Sequence, residues 1–240
     1  MSKMSKSLVA ASVLAASTLA SGAAMAEVSM NIGATSNYIW RGVTQTADEA
    51  AVSGGLDYEH ESGLYAGVWT SSLGNNGWGA EFDYYAGFGG AFGDFGYDVN
   101  VAAITYPQLE NADFTEVGLS GSYSFFTVGL NRTIASDVVD SAAGAEVFIE
   151  GDMYYYVSAS MPVSGDISVG ATFGSYKFED DGVAGTDLDY NHYQLAVTKS
   201  AGDYGDVTLA YDQNDIDDPT PADGYKDDSG RITVSWAKSF

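Results

Sequence analysis

The sequence contains no cysteine. Disulfides and thiol chemistry are therefore excluded, and so is a lipid anchor on a lipobox cysteine. Histidine occurs only twice, as His60 and His192, which disfavours most His-based metal sites and catalytic triads. Lys and Arg number 9 against 33 Asp and Glu, for a formal net charge of −24. So acidic a chain repels nucleic acid, and it has no basic patch to bind it. Charge of this size also favours disorder, but a 45% hydrophobic and 13% aromatic composition argues against that. Beyond the first 26 residues there is no apolar run of about 18, so a transmembrane helix is excluded.

The first 26 residues read as an export signal. Lys3 and Lys6 form a positive start, Leu8 to Ala20 an apolar stretch of small and aliphatic residues, and Ala24-Met25-Ala26 an A-x-A cleavage site. The apolar stretch is too short and too rich in small residues to be a retained membrane helix. Cleavage after Ala26 leaves a single domain, 27–240. It also removes two Lys and no acid, taking the formal charge from −24 to −26. At the other end, Ile232, Val234, Trp236 and Phe240 share one face of a period-two strand, with Arg231, Thr233, Ser235, Ala237 and Ser239 on the other. A last strand ending in Phe resembles the terminal strand of bacterial outer-membrane barrels. That resemblance implies that Trp236 and Phe240 form the signal read by the barrel-assembly machinery. Lys238 interrupts the apolar face, where it can snorkel.

Alternation predicts about twelve strands: 28–40, 51–59, 64–71, 79–89, 95–106, 115–125, 126–133, 152–161, 167–176, 189–199, 206–212 and 231–240. The clearest is the fourth, with Phe82, Tyr84, Ala86 and Phe88 facing one way and Glu81, Asp83, Tyr85 and Gly87 the other. Connections after even-numbered strands are short. Those after odd-numbered strands are mostly longer, polar and acidic. A soluble sandwich has no reason to alternate in this way. Outer-membrane barrels do, with short periplasmic turns and longer outer loops. Near-neutral mean hydropathy fits strands that alternate lipid-facing and lumen-facing residues. The expected fold is thus all-β: a closed antiparallel transmembrane β-barrel of about twelve strands in the bacterial outer membrane. Aromatics sort to the strand ends as two girdles. Tyr38, Trp40, Phe82, Tyr84, Tyr155, Phe173, Tyr193 and Tyr211 form the outer one, and Tyr58, Phe88, Phe95, Tyr97, Tyr123, Phe125, Phe126 and Phe240 the inner one.

The run Ser36-Asn37-Tyr38-Ile39-Trp40-Arg41-Gly42-Val43-Thr44-Gln45-Thr46, with Glu81-Phe82-Asp83-Tyr84-Tyr85-Ala86-Gly87 and Tyr106-Pro107, resembles the TorF-like family of proteobacterial porins. The similarity covers the whole mature chain. It implies a barrel and an outer-membrane location more strongly than any substrate, and it brings no catalytic residues with it.

With lipid outside, the polar face points inward. By parity Asp57, Glu59, Glu81, Asp83, Asp98, Glu116 and Asp152 line the lumen, with Arg41 and Arg231 as its cations. Rings of carboxylates favour cations in a pore. The leading expectation is passive diffusion of small solutes, with preference for cations. In the other reading the barrel's own side chains fill its interior, with Arg41 paired to Glu59 or Glu81. Such a non-conducting surface barrel would use its acidic loops to bind ions, ligands or a protein. The density of Asp212, Asp215, Asp217 and Asp218, continuing to Asp223, Asp227 and Asp228, with Glu179-Asp180-Asp181 as a second cluster, suits Ca²⁺. Ile216 at the fifth position and the missing Gly break the EF-hand pattern, and a solvated acidic surface explains the run as well. No serine lies in a nucleophile elbow, and Gly87-Phe88-Gly89-Gly90 does not open a helix as a phosphate loop does. Neither an enzyme nor a cofactor is expected. The expected partners are outer-membrane lipid, the assembly machinery and small solutes or cations.

Overall fold

The computed structural model describes residues 27–75, 77–138, 147–179, 188–216 and 229–240. The signal segment with Ala24 and Ala26 lies outside these residues, as do Asp180, Asp181, Asp217, Asp218, Asp223, Asp227 and Asp228. The strands are β1 (Glu27–Thr35), β2 (Ile39–Trp40), β3 (Val43–Thr44), β4 (Ala51–Glu59), β5 (Leu64–Ser72), β6 (Ala80–Phe92), β7 (Phe95–Thr105), β8 (Phe114–Tyr123), β9 (Phe126–Ser136), β10 (Met153–Ser164), β11 (Ile167–Lys177), β12 (Tyr190–Ser200), β13 (Asp206–Asn214) and β14 (Arg231–Ser239). β2 and β3 form a small separate hairpin. The other twelve close one antiparallel barrel in chain order, with β1 paired to both β4 and β14. The expected architecture and strand number are observed.

Period-two patterning explains the barrel. On β6 the phenyl and phenol rings of Phe82, Tyr84 and Phe88 point away from the axis, while Glu81 and Asp83 point in and are buried. Around the barrel the usual distribution is inverted. Val28 (64%), Val52 (65%) and Leu195 (55%) are exposed, while Glu116 (1%), Glu81 (4%) and Asp83 (5%) are buried. A water-soluble protein does the reverse, and an apolar surface this continuous needs a non-aqueous neighbour. Hydrocarbon outside requires every backbone group to be paired within the protein, which a closed barrel achieves.

Connection lengths alternate as expected. At one end, the turn end, the links are 60–63, 93–94, 124–125, 165–166 and 201–205; at the other, the loop end, they are 36–50, 73–79, 106–113, 137–152, 178–189 and 215–230. The two-residue link joining Phe92 to Phe95 places Gly93 at φ +63°, a conformation that costs a residue without Cβ nothing. β9 runs past its expected end at Thr133 because a bulge opposite Thr115 and Glu116 restores its pairing as far as Ser136.

The first strand departs from expectation. Alternation runs on through Trp40, but β1 stops at Thr35 and the chain turns into the barrel. Thr35 Oγ1 donates to the Asn37 carbonyl at 2.7 Å, and Arg41 and Gly42 adopt φ +48° and +81°, which turns the β2–β3 hairpin back. Tyr38 and Trp40 therefore do not join the lipid-facing girdle. Tyr38 is buried, and Trp40 packs against all three clusters of buried apolar side chains. These clusters (Tyr38, Ala51 and Leu73; Ala102, Ile104 and Phe114; Tyr154, Tyr176 and Tyr190) lie around the hairpin, at the loop end of the lumen. Of the other expected members, Tyr84, Tyr155, Phe173 and Tyr193 are exposed on the outward face, and Phe82 and Tyr211 are half-buried.

Candidate functional site

Loop 36–50 is held in the lumen by its own polar side chains. Asn37 is the hub. Its Nδ2 donates to Asp48 Oδ1 at 2.6 Å, and its Oδ1 accepts from Thr44 Oγ1 at 2.6 Å and Thr46 Oγ1 at 3.0 Å. The Gln45 N–H donates to the Tyr38 carbonyl at 2.7 Å. On the β14 side, Arg231 Nε donates to Asp48 Oδ1 at 2.9 Å, and on the β13 side Asn214 Nδ2 donates to the Gly42 carbonyl at 2.8 Å.

At the hairpin tip Arg41 reaches β8. Its Nη1 and Nη2 donate to the two Glu116 oxygens at 2.7 and 2.6 Å, and the paired side chains are 6% and 2% exposed. The guanidinium also lies over Trp40 and Tyr154, 4.1 and 4.3 Å from the ring centroids, with Tyr176 at 5.2 Å. Planar Arg suits both contacts, since its fork matches a carboxylate and its faces match aromatic rings. Parity places Arg41 in the lumen, and a barrel filled by its own side chains is expected to pair it with Glu59 or Glu81. The structure pairs it with Glu116.

Glu81 instead accepts from Tyr38 Oη and Tyr106 Oη, each at 2.7 Å. Asp83, next inward along β6, has one oxygen, Oδ1, with no hydrogen-bond partner among the described residues. Toward the turn end the inward carboxylates are Asp57 and Asp98, each bonded to an amide and a tyrosine. Asp57 accepts from Asn31 Nδ2 at 3.2 Å and from Tyr85 Oη, and Asp98 accepts from Tyr65 Oη at 2.8 Å and Asn100 Nδ2 at 2.7 Å. The two tyrosines lie flat because each faces a glycine across the ladder, Tyr65 opposite Gly87 and Tyr85 opposite Gly67. A Cβ on either glycine overlaps the ring.

The remaining candidates fall elsewhere. Glu59 is exposed at the turn end. Asp152 is buried but bonds the Ile149 and Glu179 N–H groups at 3.0 and 2.9 Å, so it ties two loops together. Asp212 accepts from Gln194 Nε2 at 2.8 Å inside the barrel, while Asp215 accepts from Asn191 N and Nδ2 at 2.6 and 2.9 Å at a strand end. These two do not form a common site, and among the described residues no group of three metal-ligating side chains occurs. His192 shares a 2.8 Å hydrogen bond with Tyr154 Oη beside the hairpin, and His60 sits in a turn with Ser62. In the turn 165–166, Lys199 holds the Asp166 carboxyl below the usual carboxylate range through a 2.6 Å hydrogen bond. Trp236 faces outward and donates from Nε1 to the Tyr204 carbonyl at 2.7 Å.

A twelve-stranded barrel with an apolar exterior, a charged interior and an inward-folded first loop defines a membrane barrel of porin architecture. Its backbone is similar to that of the KdgM porin, with a TM-score of 0.55, 9% identity and coverage of 88% of this chain and 99% of that one. It is also similar to the NanC porin, with a TM-score of 0.50, 9% identity and coverage of 89% and 98%. At such identities the likeness is one of fold. The chain belongs to the Gcw_chp family, described as a bacterial protein of unknown function, whose family model matches residues 19–240. No curated protein matches the chain in sequence.

Proposed function

We propose that the protein is an outer-membrane porin of a Gram-negative bacterium, through which small solutes diffuse along an acidic, cation-preferring lumen. In this reading residues 1–26 are removed on export. The long connections face outward, and Trp236 and Phe240 serve assembly. The observation that carries the proposal is the inward row of Glu81, Asp83, Asp98 and Glu116 inside a closed, lipid-compatible barrel. Carboxylates at a constriction favour cations. The resemblance to the TorF-like family and the porin fold of the structural relatives support the same class. The test is single-channel recording in planar bilayers. Steady cation-selective steps are expected, with the reversal potential under a salt gradient moving toward zero in the Glu81→Gln/Asp83→Asn double variant. Silence across salts overturns the channel.

One observation favours a second reading. The hairpin, its arginine and three apolar clusters fill the loop end, as they do in a barrel closed by its own interior. That protein would act at its surface through its acidic loops. The same recording separates the two, provided the barrel is shown to be folded.

A further inference from the structure

The inward wall beside Arg41 holds more carboxyl groups than this arginine pairs. Glu81, Asp83 and Glu116 are all at most 5% exposed, and Arg41 is committed to Glu116 by two hydrogen bonds. Glu81 has a tyrosine hydroxyl on each oxygen. Asp83 has no such support at Oδ1. Its neighbours across the ladder are Trp69 on β5 and Ile104 on β7, neither of which offers a charge. A buried carboxylate without a partner is costly, and the cost falls when a cation joins it. A water molecule satisfies the lone pair but leaves the charge.

We propose that Asp83 is the anchor of a binding site for a monovalent cation, seated beneath the hairpin between Asp83 and the Tyr38–Glu81–Tyr106 cluster. The proposal rests on the cation-preferring lumen proposed above and names the group that holds the ion. One open carboxylate oxygen suits a single positive charge. A Ca²⁺ ion takes six to eight oxygens, and no third carboxylate completes such a set among the described residues. The Tyr38 and Tyr106 oxygens keep lone pairs for the ion. A carboxylate beside phenol oxygens suits an ammonium group, which donates hydrogen bonds, as well as an alkali ion.

The test uses the mature barrel in detergent and follows the temperature at which it loses its folded gel mobility. Ionic strength is held constant while N-methylglucamine, a bulky cation, is replaced by potassium or by methylammonium. The wild type is expected to be stabilised by one or both ions, Asp166→Asn to respond equally, and Asp83→Asn to need about tenfold more ion for the same shift. A response to potassium alone assigns an inorganic ion, and one to methylammonium alone assigns an amine solute; either supports the site. Equal responses in wild type and Asp83→Asn overturn it, as does no response in either, the outcome expected of a proton on Asp83. An Asp83-dependent response to calcium at far lower concentration overturns the monovalent assignment. Conduction plays no part in this readout. A silent bilayer beside an intact Asp83-dependent shift removes the channel, and a conducting barrel without the shift removes only the site.

Discussion

Arg41 ties the hairpin to the barrel wall, and its removal is costly because of what stays behind. Arg41→Ala leaves Glu116 buried without its cation, a loss of about 3–5 kcal/mol in comparable buried pairs, to which each lost cation–π contact adds about 0.5–2 kcal/mol. The hairpin is expected to leave the lumen, raising single-channel conductance. Arg41→Lys keeps the charge but loses the fork and the flat stacking face, so it should fall between wild type and Ala. If conductance is the same in all three, the hairpin does not set the pore. The flat tyrosines toward the turn end give a second test at this scale. Gly87→Ala pushes a methyl into the Tyr65 ring and should lower the stability measured by urea unfolding in detergent by about 1–3 kcal/mol. Parity made Arg41, Glu81, Asp83 and Glu116 legible as inward residues. It could not tell which of them touch, because Glu116 lies 75 residues beyond Arg41 in the chain and only closure of the barrel brings it opposite the hairpin.

At the level of elements, the barrel strands could be read to within a few residues because each is half in lipid and half in a polar lumen, which is where period-two alternation is strongest. Loop 36–50 escaped for the same reason. Tyr38 and Trp40 continue the alternation of β1, yet their partners are lumen side chains instead of lipid, and a hydrophobicity pattern does not distinguish the two apolar surroundings. The turn at Arg41-Gly42 and the polar Asn37 were the local clues, and both act through side-chain bonds that have no period. Asn37→Ala removes three hydrogen bonds inside the loop, each worth about 0.5–1.5 kcal/mol net, without touching the wall. The barrel should still form and show the same heat-dependent gel mobility, while protease cuts within 36–50 far faster. Unchanged protection would show that Arg41 and the wall contacts hold the loop unaided.

For the whole molecule, closure is the decisive event, and the seam is its weakest line. β1 and β14 share five register pairs, whereas β1 and β4 share nine. Phe240 lengthens that seam beyond the last strand residue. Its N–H donates to the Met30 carbonyl at 2.9 Å, and its carbonyl accepts from the Met30 N–H at 3.3 Å, while its ring stays exposed on the lipid face. Deleting Phe240 removes both bonds, about 1–3 kcal/mol at the place where the ring opens, and it also removes the aromatic end that the proposed assembly signal requires. Phe240→Leu separates these roles, since it keeps the backbone bonds and an apolar lipid contact but not the ring. The gel-shift transition temperature of purified, refolded barrel should fall on deletion and return with Leu. The yield of folded protein in cells should fall in both variants. A Leu variant that assembles in cells as well as wild type assigns Phe240 to the seam alone and removes its ring from the signal.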